Sequence, residues 1–144
     1  MQVERSDLGL QSSDLGWYNT NMNDVSDLII YQRALKLLEP IYRLAKMLPK
    51  DESRLRSQIC NSAKAISAQI AEGFAKKDSQ VEFKRFLLMA LGSSDETITH
   101  LRQIELLGFP MIKKETCVAL IDNYKIESKQ INSLIQKIKK KSEI

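Results

Sequence analysis

Residues 65–77 read Ala-Ile-Ser-Ala-Gln-Ile-Ala-Glu-Gly-Phe-Ala-Lys-Lys. Isoleucines stand at Ile66 and Ile70, and the same spacing runs back through Ala63, Ile59 and Leu55. Steps of three and four mark one face of an α-helix, where a strand would alternate every second residue. The other faces of this helix are small: Ser62, Ala65, Ser67, Ala68 and Ala71. Small side chains let backbones approach, so this helix is expected to be covered by more than one neighbour. Gly73 lets the chain pass close to another element or leave the helix. Lys76 and Lys77 then open a turn toward Ser79.

Three further periodic segments flank this one. The first starts at Asp24 or Ser26, either a good N-cap, and carries Leu28, Tyr31, Leu35, Leu38, Tyr42, Ala45 and Leu48. Pro40 lies inside it and predicts a kink near Lys36–Pro40, because proline donates no backbone hydrogen bond. The third segment opens with Ser79 and Glu82 at capping-box spacing, with Asp78 a competing cap. Its seam is Phe83, Phe86/Leu87, Ala90, Ser94, Ile98, Leu101 and Ile104, and Gly108 follows as a C-cap. If the second and third helices form a hairpin turning near Lys77, Gly92 falls opposite roughly Ser62. The fourth carries Cys117, Leu120/Ile121, Tyr124, Ile131, Leu134/Ile135 and Ile138, and ends in Lys137, Lys139, Lys140 and Lys141. The predicted fold is all-α: an up-down-up-down antiparallel four-helix bundle over 25–144, with helices at about 25–48, 52–75, 79–107 and 114–141.

Composition agrees with this reading. The chain has 144 residues, only five glycines and three prolines, and 43% hydrophobic residues, enough for one helical core. Residues 1–24 hold one basic and four acidic groups, whereas 25–144 hold 21 basic and 14 acidic groups. The extension is rich in Ser, Asn, Asp and Gly and is expected to be disordered in isolation. It repeats Ser6-Asp7-Leu8-Gly9-Leu10 as Ser13-Asp14-Leu15-Gly16-Trp17. It reads either as a plain tail or as a docking segment with Leu15, Trp17 and Tyr18 as anchors. No apolar run approaches the ~18 residues of a membrane span. No basic stretch precedes an apolar core at the N-terminus, so no secretory signal is expected. Cys60 and Cys117 fit a reducing, cytoplasmic setting as small buried hydrophobes.

Catalytic and metal constellations are not expected. His100 is the chain's one histidine, four residues after Glu96, and reads as a surface histidine beside an acid. A di-iron bundle needs two Glu-x-x-His pairs, and zinc needs more ligands than two isolated cysteines and one histidine supply. No phosphate-cradling glycine motif occurs. Neither an enzyme nor a cofactor is expected. The remaining candidates are cations: Arg54, Arg56, Lys64, Lys76, Lys77, Lys84 and Arg85. They read as a phosphate-binding surface or as a solvated face, since Glu72, Asp78 and Glu82 lie among them.

The motifs Asp27-Leu28 with Tyr31-Gln32 and Ala34, Leu48-Pro49-Lys50, Gln58-Ile59, AISAQIAEG (65–73), Arg85-Phe86-Leu87 and ALGSSDET (90–97) carry a resemblance. The chain resembles the four-helix-bundle proteins encoded by intervening sequences within bacterial 23S ribosomal RNA genes, from about Asp27 to Lys140. The resemblance implies a cytosolic bundle assembling as a ring-like homopentamer, with no established enzymatic activity. A related group, the accessory variability determinant proteins of diversity-generating retroelements, implies an alternative: a scaffold that binds a reverse transcriptase. The chain departs from the pattern at Cys60 and Asn61, at Gln69 and at Leu91, where the family carries basic residues or asparagine. Ser62, Ala65, Ala68, Glu72, Gly73, Gly92, Ser93 and Glu96 are expected to pack the bundle and its subunit contacts, with Glu72 a structural acid paired within the bundle or across a subunit boundary. The leading expectation is a non-enzymatic oligomer binding structured RNA, or DNA, through backbone phosphates.

Overall fold

A computed structural model describes residues 24–142, with side chains to Ile138. Residues 1–23, with the repeat and its anchors, and the side chains of Lys139–Lys141 lie outside the described residues. Among the described residues every regular element is helical, and no strand occurs.

The first quarter of the bundle is built in pieces. The Asp24 carboxylate accepts from the Ser26 backbone N–H at 3.0 Å and caps the short 3-10 turn Val25–Asp27. Helix α1 (Ile29–Lys36) follows, and after Leu37 the chain resumes as α2 (Leu38–Lys46). Pro40 explains the break: it has no N–H to donate to the Lys36 carbonyl. The continuous helix expected over 25–48 is therefore a turn and two segments. Its buried face also differs from the expected one. Leu28, Ala45 and Leu48 of the expected face are buried, but between them the core takes Ile30, Ala34, Leu37, Ile41 and Leu44, while Leu35 and Tyr42 are 45% and 36% exposed. Both stripes have three-and-four spacing. The inner one was selected because α3 and α5 lie on its side.

Helix α3 (Ser53–Ala75), α4 (Gln80–Leu107) and α5 (Lys114–Ser142) are long and unbroken. The Ser79 hydroxyl accepts from the Glu82 N–H at 3.2 Å and caps α4. The reciprocal half of the expected box is not made, because the Glu82 carboxylate turns to Arg85 at 3.1 Å. Gly108 ends α4 in the left-handed region at φ 66°, which glycine adopts without Cβ strain. Ile59, Ile66, Ile70, Leu87, Leu101, Ile104 and Ile131 line the core and are essentially inaccessible to solvent.

Paired residues fix the direction of each helix. Arg56, near the start of α3, donates to the Ala45, Leu48 and Pro49 carbonyls at the end of α2. Ser62 meets Thr97 at 2.9 Å across α3 and α4. Ser94 donates to the Tyr124 carbonyl at 3.3 Å across α4 and α5. With α1 and α2 counted as one broken helix, consecutive helices are antiparallel, as an up-down-up-down bundle requires, and Arg33 on α1 closes it against α5 at Glu127.

This register moves the close approach away from Gly92. Thr97, not Gly92, stands opposite Ser62. A Cβ at Gly92 would meet nothing within 4 Å. A Cβ at Gly73 would lie 2.9 Å from the Phe86 Cβ and 3.3 Å from the Phe83 carbonyl oxygen. Gly73 is where α3 and α4 touch.

Candidate nucleic-acid interface

The seven candidate cations do not form one surface. Arg56 is half-buried and committed to the fold, because its guanidinium caps three carbonyls of the preceding helix. Arg54 is exposed at the same end and lines a shallow cleft with Glu52, Leu55, Gln58, Gln103, Leu106 and Leu107. Lys64 is exposed in mid-helix. Lys76, Lys77, Lys84 and Arg85 sit at the far end, roughly 30 Å along α3 from Arg54 at 1.5 Å per residue.

At that far end two buried phenylalanines organise three cations. The Lys76 ammonium stands 5.7 Å from the centre of the Phe86 ring, and the Arg85 guanidinium 4.5 Å from the same centre. The Lys77 ammonium stands 4.5 Å from the centre of the Phe74 ring. Each such contact contributes about 0.5–1 kcal/mol at an exposed site. Gly73 makes the arrangement possible by letting Phe83 and Phe86 press onto α3. Arg85 is shared with Glu82. Neither Lys76 nor Lys77 pairs with a carboxylate among the described residues, whereas phosphate contact calls for charge gathered on a fixed surface. Lys84 is half-buried beside them.

The expected packing residues divide as well. Ser62 and Gly73 are buried, Ala65 and Ser93 half-buried, and Ala68, Glu72, Gly92 and Glu96 exposed. The Ser93 and Gln69 side chains are in hydrogen-bond contact at 2.8 Å. Glu72 is exposed and makes no ion pair among the described residues, so it is not paired within the single chain. His100 is not a surface histidine. It is 8% exposed, with Nε2 3.3 Å from a Glu96 carboxylate oxygen and Nδ1 2.9 Å from the Gln103 amide oxygen. Burial pushes the Cys60 and Cys117 thiols up from their ordinary value, which lowers their thiolate content. Among the described residues no group of three or more His, Cys, Asp or Glu side chains could hold a metal ion. No described helix is long and apolar enough to cross a membrane.

One polar site escaped the reading of the sequence. Glu127 on α5 is completely buried, and neither carboxylate oxygen accepts a hydrogen bond. The Arg33 guanidinium lies 3.7 Å away, too far for a hydrogen bond, and donates instead to Gln130. The buried Tyr124 hydroxyl also lacks a partner. Burial pushes the Glu127 carboxyl up to about 8, with Arg33 opposing. Burial and the nearby Glu127 push Tyr124 up as well. A signal was present: the α5 seam steps from Tyr124 to Ile131, and only Glu127 or Ser128 can fill the gap.

Fold and site together define a small four-helix-bundle protein with an aromatic-backed cationic junction at one end. The chain belongs to the 23S rRNA-intervening sequence protein family, whose pattern matches residues 26–140. It is similar to the crystal structure of a protein of unknown function from the S23 ribosomal protein family of Bacteroides thetaiotaomicron. The two share 23% sequence identity at a TM-score of 0.66, over 74% of this chain and 98% of that chain. At that identity the likeness is one of fold. No curated protein matches the chain.

Proposed function

We propose that the α3–α4 junction binds the phosphate backbone of nucleic acid, structured RNA in particular, in a non-enzymatic homo-oligomer. The observation that carries this reading is the cation set held over Phe74 and Phe86. Lys76 and Lys77 lead, with Arg85 and Lys84 beside them. Among the described residues no exposed aromatic side chain accompanies these cations, which favours contact through phosphates over stacked bases. Cys60, Asn61 and Leu91 stand where the family pattern carries cations, which leaves Lys64 as the candidate cation in the middle of α3 and α4. The phosphate site is accordingly at the end of the bundle.

Fluorescence anisotropy with a structured RNA across a salt series tests this. Log affinity should fall linearly with log salt, and replacing Lys76 or Lys77 by Ala should reduce the slope by about one phosphate contact each. No binding at low salt, or binding insensitive to salt, overturns the reading.

The exposed Ala68, Leu88, Met89 and Gly92 lie together on α3 and α4 and support contact with a second copy. The homopentamer implied by the family resemblance would bury this face. On this reading Gly92→Leu disrupts assembly while leaving the single chain folded. Light scattering that finds only a monomer-sized particle at micromolar concentration overturns it.

A further inference from the structure

Helices α1 and α2 carry a second apolar stripe outside the core. Tyr31, Leu35, Leu38 and Tyr42 recur at steps of four, three and four, the seam of a packing helix. Tyr31 and Leu38 are half-buried, and Leu35 and Tyr42 are exposed. The stripe is turned about 110° from the inner one at 3.6 residues per turn. It lies on the flank away from Arg33, which reaches α5, and so on the side of α3. Two exposed lysines flank it: Lys46 at the end of α2, and Lys64 on α3, two turns after Arg56. Arg56 ties the start of α3 to the end of α2 and sets the level of each. Lys46 and Lys64 then stand roughly 13 Å apart along the bundle, with Tyr42 level between them. Neither pairs with a carboxylate among the described residues.

The outer face between α3 and α4 has the opposite build. Ala68 and Gly92 are exposed at its centre, where Gln69 meets Ser93. Glycine in a helix costs up to about 1 kcal/mol relative to alanine, yet no contact within the described chain needs Gly92, since a Cβ there would meet nothing within 4 Å. Glu72 and Glu96 lie on either side of this hollow. The Ser62–Thr97 contact sets Glu96 level with Ala63 and Lys64 of its own chain. The two acids are therefore also roughly 13 Å apart along the bundle, with Ala68 level between them. Glu72 makes no ion pair among the described residues, and Glu96 touches His100 Nε2 at 3.3 Å. Other charges beside these faces are paired already, Glu39 with Arg43 at 2.8 Å and Arg85 with Glu82 at 3.1 Å.

We propose that the two faces are the halves of one contact between copies of this chain. Tyr42 of one copy seats on Ala68 and Gly92 of the next, and Lys46 and Lys64 stand against the Glu72 and Glu96 carboxylates there. Bulk meets hollow and cations meet acids at the same spacing. Because the joined faces differ, the contact is head-to-tail. In a four-helix bundle the two faces are neighbours that share α3 and are turned about 90° from each other, so a head-to-tail series curves back on itself within a few copies. The inference rests on the self-association reading above and supplies the second face that a ring requires. It is independent of the phosphate site, and it gives Lys64 a carboxylate partner in place of a phosphate.

Cross-linking tests the pairing in chains that carry Cys60→Ala and Cys117→Ala. A Tyr42→Cys chain mixed with an Ala68→Cys chain should form a disulfide-linked dimer holding one of each, while either chain alone stays unlinked. In the natural background, Lys46→Glu/Lys64→Glu should raise the concentration for half-assembly about tenfold or more, read by light scattering. Adding Glu72→Lys/Glu96→Lys to that chain should restore the natural particle mass. Assembly unchanged by the lysine reversal overturns the pairing and leaves self-association standing. So does an Ala68→Cys chain that links to itself, or a four-site chain that fails to regain the natural mass. A natural chain of monomer mass at micromolar concentration overturns both.

Discussion

Two levels of the bundle are packed on opposite plans. At the level of Gly73 the interior is apolar, with Phe74, Phe83 and Phe86 pressed together and cations stacked outside. At the level of Glu127 the interior is polar: a buried carboxylate, Arg33 and the Tyr124 hydroxyl, with Ser94 close by. Each level also has a glycine on a helix, but Gly73 faces in and Gly92 faces out. Similar runs of small residues, QIAEG and ALGSS, therefore serve different ends. A tight apolar contact tolerates no added volume, whereas a buried charge tolerates no lost partner.

The largest expected effect comes from the polar level. Arg33→Met removes the cation beside Glu127 and should cost up to about 1.4 kcal/mol for each pH unit above about 8, the work of keeping the buried carboxyl protonated, with a ceiling of about 3–5 kcal/mol for an unpaired buried charge. The cost should shrink at lower pH, because Glu127 then holds its proton. Urea unfolding at the two pH values measures this, and an equal cost at both would break the picture of a buried carboxyl.

Glu127→Gln sharpens the same point. With its carboxyl pushed up to about 8 from 4.5, the folded chain binds a proton between those values that the unfolded chain has released. Stability from this group is full below about 4.5 and is lost as pH rises through about 8. Arg33 on α1 and Tyr124 on α5 are the groups that face it. The glutamine chain has no such titration, so its stability relative to the natural chain should rise steadily across that window. A constant difference between the two denaturation midpoints would show that Glu127 titrates normally.

At the apolar level, Gly73→Ala should cost about 1–3 kcal/mol, because its Cβ lands against the Phe86 Cβ, close to the backbone and unable to swing aside. Thermal unfolding that matches the natural chain would show that α3 and α4 approach less closely. Gly92→Ala should do the reverse and stabilise a single chain by up to ~1 kcal/mol, since alanine is the better helix former and the space is open. Its comparison with Gly73→Ala should be made under conditions that keep assembly constant. The smallest effect belongs to the surface: Lys76→Ala alone should cost no more than about 1 kcal/mol, whatever it does to RNA binding.

Much of this architecture was legible beforehand. The α3, α4 and α5 seams, the Ser79 cap and the Gly108 stop were all local patterns. The core positions Ile59, Ile66, Ile70, Leu87, Leu101 and Ile104 followed from them. The first helix was harder because it carries two stripes of equal spacing, one through Leu35 and Tyr42 and one through Ile30, Ala34 and Ile41. The cations were harder still. Arg54, Arg56 and Lys76 look alike in sequence, yet Arg56 caps a helix and Arg54 and Lys76 lie at opposite ends of α3.

The sequence by itself determined periodicity, caps and the proline break, because those depend on residues within one or two turns of each other. Tertiary structure alone decided which stripe of the first helix faces inward and which glycine meets a ring. It also decided which arginine is consumed by carbonyls and that Glu127 must be buried. Each of those outcomes depends on the distance between residues far apart in the chain, and the antiparallel register of four helices sets that distance.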